Sequence, residues 1–332
     1  HLLDDFLQKA TSPVSKSAIL QTFKGWTDIR LSYAMNAYPE IIPWGSNFFW
    51  HASKLQVENY EIQGLGEVLR VELDKNGGYV SSFKIFEAVR RNAATDEGKV
   101  FDLLKYLFKD EYYFGMPHIV NGWSEPRRFT HEDLILLCLG ANQSFTRSGL
   151  FAQINALLGE MRSGAYNAVA TFCKQQIRLS NDEYLMKEAF NINEQQLYGI
   201  VTVLDSIIDE NGVLLASRRG DWSSSLPQLD FQWTPYLLAD IVQEYFSKYK
   251  AIGVDNFWRE SCAVVRAGGH LNTREDIAIW LLAKQYGKAI TVSDMMAFMR
   301  LMGLYEGSLP ESLMADNRLR FCENNMVYIT ST

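Results

Sequence analysis

Apolar positions recur at helical spacing along most of this chain, and the clearest stretch runs from Thr273 to Thr330. Thr273-Arg-Glu-Asp276 has the pattern of a capping box, a hydroxyl placed for the N3 amide and a carboxylate that can answer the N-cap amide. Ile277, Trp280 and Leu281 follow at helical spacing, and Gly287 predicts the stop. Thr291-Val-Ser-Asp294 repeats the box, and Val292, Met295, Met296, Met299 and Met302 then mark the core face of a second helix ending at Gly303. Ser308-Leu-Pro-Glu311 predicts a third box with Pro310 in the first turn, where a missing N–H costs little. Leu319 and Phe321 alternate with Arg318 and Arg320, Asn324-Asn325 suits a tight turn, and Met326-Val-Tyr-Ile329 returns. The pattern is three helices closed by a hairpin, with Phe321 and Tyr328 expected to pin the strands to the helices.

Asp316-Asn-Arg-Leu-Arg-Phe321 followed by Met326-Val-Tyr-Ile329 resembles the ending of winged helices similar to that of the RNA polymerase delta-subunit family, with Leu319 interrupting the usual spacing. The resemblance covers under a fifth of the chain. It implies a winged-helix fold for the C-terminal unit and carries over no functional residues.

The rest of the chain repeats the theme more faintly. Ser12-Pro13 predicts a helix through Trp26, and Phe48 to Leu55 an aromatic hairpin, an order that echoes the C-terminal unit. Past Gly64 and Gly66 the residues alternate as a strand would, Asn76-Gly77-Gly78 is a turn signal, and helices are predicted from Ser81 or Ser82 to Arg91 and from Lys99 to Lys109. Tyr112 to Phe114 and His118 to Val120 read as strands on either side of Gly115-Met-Pro117. Asn121 to Arg128 is rich in Gly, Ser and Pro and marks a boundary. Thr130-His-Glu-Asp133 opens another helix, Ser148 to Gly159 and Glu194 to Asp209 carry further apolar stripes, Val213 to Ser217 reads as a strand, and Thr234-Pro235 starts a widely apolar helix. The expected fold is mainly α with short β-hairpins, as tandem winged-helix-like modules. The expected domains are 1–125, 126–268 and 269–332.

Composition supports a globular chain: 332 residues, 47% hydrophobic and 21% charged, with eight Trp, sixteen Tyr and nineteen Phe and only eight Pro. A net charge of −7 supplies no global field for nucleic acid, so such binding requires local basic patches. Cys138, Cys173, Cys262 and Cys322 are far apart and form no C-x-x-C pair, which points to free thiols in a reducing cytosol. No run approaches the roughly 20 apolar residues of a membrane span, and the first residues lack the order of a signal peptide. The sequence reading is therefore a cytoplasmic protein with no membrane partner.

Candidate chemistry is sparse. His1, His51, His118, His131 and His270 are isolated, with no metal-ligand spacing, so neither a metal nor a cofactor is expected. Gly64-Leu-Gly66 lacks the third glycine of a dinucleotide fingerprint, there is no P-loop or G-x-S-x-G, and Cys262 with His270 is a coincidence of reactive types. Basic pairs remain. Arg90 and Arg91 end a helix, where the macrodipole accounts for them. Arg127 and Arg128, and Arg218 and Arg219, instead lie at strand or loop edges suited to phosphate, and Trp222 beside the latter pair can stack on a base. Arg318 and Arg320 on the C-terminal hairpin are further candidates. Arg218 and Arg219 are expected at the tip of a wing. The functional expectation is a non-enzymatic winged-helix protein that associates with DNA or RNA as a subunit of a larger assembly. The alternatives are a protein-assembly scaffold without nucleic-acid contact, or an enzyme with no recognisable motif.

Overall fold

The structure is a computed structural model that describes residues 2–45, 47–55, 59–90, 97–160, 163–217, 221–253, 255, 260–305 and 307–330. Among these it is mainly helical, with five small antiparallel sheets of three strands each. By its contacts the chain forms two compact bodies, residues 1–140 with 149–169, and residues 141–148 with 170–332.

The elements fall into five successive units. The first comprises α1 (Leu2–Lys9), β1 (Val14–Ser15), α2 (Lys16–Thr22), α3 (Asp28–Ala37), β2 (Ile41–Pro43) and β3 (Phe48–His51). The second repeats the order with α4 (Asn59–Lys75), β4 (Tyr79–Ser81), α5 (Ser82–Arg90), α6 (Glu97–Phe108), β5 (Tyr112–Gly115) and β6 (His118–Asn121). The third has α7 (His131–Leu139), β7 (Ser144–Thr146), α8 (Arg147–Leu158), α9 (Ser163–Lys174), β8 (Ile177–Arg178) and β9 (Glu183–Leu185). The fourth has α10 (Glu194–Asn211), β10 (Leu214–Ala216), α11 (Pro235–Tyr245), β11 (Tyr249–Ile252) and β12 (Cys262–Arg266). The fifth has α12 (Arg274–Tyr286), β13 (Ala289–Thr291), α13 (Val292–Leu301), α14 (Glu311–Met314), β14 (Leu319–Phe321) and β15 (Met326–Ile329).

Every sheet has the same connectivity. The last strand of the unit lies in the middle and pairs antiparallel with both others, in the orders β1-β3-β2, β4-β6-β5, β7-β9-β8, β10-β12-β11 and β13-β15-β14. Strands of two to five residues cannot hold a sheet together alone, so each sheet depends on the helices packed against it for a buried face; for Ile177 and Leu185 of the third unit's sheet these include α10 and α11 of the fourth. The fourth unit departs from the pattern: among the described residues between β10 and α11, 217 and 221–234, there is no helix.

Local chemistry explains where the helices begin. Thr130 with Asp133, Asn193 with Gln196, and Thr273 with Asp276 form reciprocal capping boxes that start α7, α10 and α12. Thr291 accepts from the Asp294 amide, as expected for α13. The box expected at Ser308 does not form, because Pro310 is itself the extended N-cap residue of α14 and makes no side-chain cap bond.

Two helical expectations shift for physical reasons. The helix predicted from Ser12 begins only at Lys16, because Ser15 caps the Ala18 amide and Val14–Ser15 pairs with Phe48 and Phe49. The alternation after Gly66 is helix α4, in which Leu69 and Leu73 are buried one turn apart, and Gly66 admits the Phe108 ring, which would lie 3.1 Å from an added Cβ. The predicted stretches at Arg91 and at Arg218 to Gly220 lie outside the described residues.

In the second body, strand β12 separates two cores. Cys262 and Val264 pack with Leu204, Ile208, Leu237, Ile241 and Val242, whereas Ala263 and Val265 pack with Ile277, Leu282, Met295 and Met299. The sheet of the fourth unit is thus buried on both faces, which is why Cys262-Ala-Val-Val265 is apolar without alternation. The boundary expected at residue 268 follows β12 directly, and the second of these cores runs across it. Gly212 closes α10 with φ +80 and lies beneath the Trp280 ring of α12, 2.5 Å from where a Cβ would sit.

The aromatic pins expected in the last hairpin are replaced by aliphatic ones. Leu319, Val327 and Ile329 are buried, Phe321 lies at the rim of the core, and Tyr328 is exposed, as period-two alternation along β15 dictates. Val327→Ala should therefore lower stability by about 2 kcal/mol and Tyr328→Ala by under about 0.5 kcal/mol. Differential scanning calorimetry of the two variants tests this ranking, and equal losses would contradict it.

Candidate nucleic-acid interface

Helix α6 presents Val100, Phe101, Leu104 and Phe108 to the core of the second unit and carries Asp102 and Lys105 on its outer flank. The hairpin β5–β6 turns at Met116 and Pro117, with Met116 exposed. Between this helix and this turn lies a groove of about 620 Å³, lined also by Tyr113, Phe129, Arg128 and Gly45.

Tyr113 fixes one wall of the groove. Its hydroxyl accepts the Phe129 amide at 3.0 Å, joining the hairpin to the connection that precedes α7. The ring lies so close over the strand that a Cβ at Gly115 would meet the hydroxyl at 2.3 Å, so glycine is required there. Phe129 in turn packs edge-on against Trp123, with centroids 4.9 Å apart.

The two neighbouring arginines have different fates. Arg127 forks onto Asp133 with two bonds of 2.7 Å, reaches Glu125 at 2.6 Å, and lies 5.1 Å over the Trp123 ring, whose N–H donates to the Arg127 carbonyl. Those carboxylates raise its pKa further. The bidentate bond, with help from Thr130, holds the Asp133 carboxyl at about 2, below its ordinary 3.8, despite burial. Arg128 is exposed at the groove instead, as is Lys105, and neither meets a carboxylate at ion-pair distance among the described residues. Asp102 accepts the Gly45 amide at 2.9 Å, so the carboxylate in the groove is engaged in tying the first hairpin to α6.

The other residues predicted from sequence lie in the second body. Arg318 is a clamp: its guanidinium bonds Asp316 at 2.9 and 2.7 Å and Asp276 of the α12 capping box at 2.9 Å, which ties β14 to the start of α12. Arg320 is exposed on β14 opposite Tyr328. Trp222 is half-buried against the core and donates its N–H to the Ser217 carbonyl at 3.0 Å. Arg218 and Arg219 lie outside the described residues. The strand before them, β10, is an edge strand, and the hairpin of that unit is β11–β12.

Sequence reasoning missed Lys105, Tyr113 and Phe129. The available signal was Lys105 as a cation on the flank of the Val100, Leu104 and Phe108 stripe, in the helix that precedes the Gly115-Met-Pro117 turn. Among the described residues no group of His, Cys, Asp or Glu could hold a metal ion, and no helix is long and apolar enough to cross a membrane. The four cysteines are free, and burial pushes the Cys138 and Cys173 thiols up to about 11. Compared with models of known protein families the chain matches none, and no curated protein matches it.

The Arg127–Asp133 pair gives a pH-dependent test. A carboxyl with a depressed pKa stabilises the fold above about pH 4, and that contribution is lost as the pH falls towards 2. Arg127→Ala should therefore lower the melting temperature at pH 7, and by much less near pH 2, where most of the carboxylate's contribution is already gone. Thermal melts at both pH values should show the difference closing, and a pH-independent loss would assign the effect to packing on Trp123.

Proposed function

We propose that this chain is a non-enzymatic protein of five tandem winged-helix modules that contacts nucleic-acid phosphates as a subunit of a larger assembly. The common order of helices and strands, with the last strand central, supports the modular reading. In a winged helix, α6 is the helix before the hairpin and Met116–Pro117 the tip of the wing, the two parts best placed to meet a duplex. The observation that carries the reading is the pair Lys105 and Arg128 flanking one groove between these parts, with the nearby acid Asp102 already bonded to Gly45. Free thiols suit a reducing, cytoplasmic setting.

With a chain charge of −7 and two such cations, the contact is a backbone contact of low sequence preference. A scaffold reading has its own support in the first unit. There α3, the counterpart of α6, exposes Ile29 and Tyr33, each about 70% accessible, which suits a protein partner better than phosphate.

Lys105→Ala with Arg128→Ala should weaken binding about equally for all sequences and reduce the log–log salt slope by up to about 2, one unit per phosphate contact. The measurement is a fluorescence-anisotropy titration of duplex and single strands at several salt concentrations. Failure of the unmodified chain to bind any of them at low salt removes the nucleic-acid reading and leaves the scaffold.

A further inference from the structure

The connection between β10 and α11 forms no helix among its described residues, 217 and 221–234, where the other four units have one, and long connections of this kind are uncommon unless they build something. What it builds is a pocket of about 390 Å³, within the range of small-ligand sites. Trp222 and Trp233 come from the connection, and Tyr236 comes from the first turn of α11. Both indole N–H groups are directed to main-chain carbonyls, Trp222 to Ser217 at 3.0 Å and Trp233 to Pro227 at 2.8 Å, which fixes the two rings in place. The Arg178 guanidinium lies 4.1 Å from the centre of the Tyr236 ring and steadies the third.

Two polar features are directed to this space. Ser217 is only 9% exposed and lines the pocket, where its hydroxyl can donate to or accept from a bound polar group. The N-terminus of the 11-residue helix α11 also opens here; Pro235 has no N–H, the Leu237 amide is taken by Thr234, and the Tyr236 amide has no acceptor within the helix. Ser223 and Gln232 add a hydroxyl and a primary amide at the rim.

We propose that this pocket binds a single unstacked nucleobase. Fixed indole rings offer stacking faces to a planar heterocycle. Hydroxyls, a backbone N–H and a carboxamide offer both donors and acceptors to its edge, as the bidentate amide does with adenine. The charged side chain lining the pocket among the described residues is Glu260, and the planar aromatic walls leave the base as the recognised group. The inference stands on the connection before α11 with Arg178 and Ser180 beside it, and is independent of phosphate binding beside α6.

The test uses the full chain and the four ribonucleosides, with free ribose and inorganic phosphate as controls, read by calorimetry and saturation-transfer NMR. The expected result is saturable binding of at least one nucleoside with no binding of ribose or phosphate. Gln232→Ala and Ser217→Ala should each weaken it about tenfold or less, as single hydrogen bonds do, without changing the melting temperature. Ribose or phosphate binding as tightly as the nucleosides would overturn the assignment, as would the absence of any nucleoside signal at millimolar concentration. Nucleoside binding unchanged in both variants would also overturn it, because the site would then lie elsewhere.

Discussion

Everything in the second body depends on a strand with no side exposed to water. Strand β12 is hydrogen-bonded along both edges, by β10 and β11, and buried on both faces. Residues 262 to 265 must therefore all be apolar, and they must alternate between two cores with different requirements. The same double burial lets the fourth unit dispense with one helix. Leu226 and Leu229 of the irregular connection join the core on one face, while α12 and α13 cover the other. A segment released from helical packing in this way can carry its aromatic residues into a pocket.

The second constraint is electrostatic. Arg127, Arg178, Arg266 and Arg318 all hold carboxylates that belong to other elements or to the start of a helix. Arg266 bridges β12 to Asp205 and Asp209 on α10, and Arg318 bridges β14 to α12. These planar forks suit fixed geometry, and once engaged they are poor partners for phosphate. Lys105 and Arg128 stand outside these forks, which makes an acidic chain with a local basic groove self-consistent.

Capping boxes made the starts of α7 and α12 legible, because a hydroxyl and a carboxylate three residues apart act locally. Strands were less legible. Val14–Ser15 and Ile177–Arg178 are too short to display a period, and their pairing is fixed by partners more than thirty residues away or by a neighbouring turn. The candidate site shows the same limit. Arg127 and Arg128 are equivalent in sequence; what separates them is Asp133 and the Trp123 ring, which meet Arg127 only once the connection has folded. Trp222 was visible as an aromatic residue, but its half-burial depends on the Ser217 carbonyl and a core assembled from distant helices.

The central position of each unit's last strand bears on the order of synthesis. While a ribosome is still making a unit, its first two strands have no partner in that unit, since β1 and β2 pair only through β3, and β13 and β14 only through β15. A sheet therefore closes in one step when its final strand emerges, and open strand edges are exposed only for the time needed to make one unit. The fourth sheet then still waits for α12 and α13 to cover its second face.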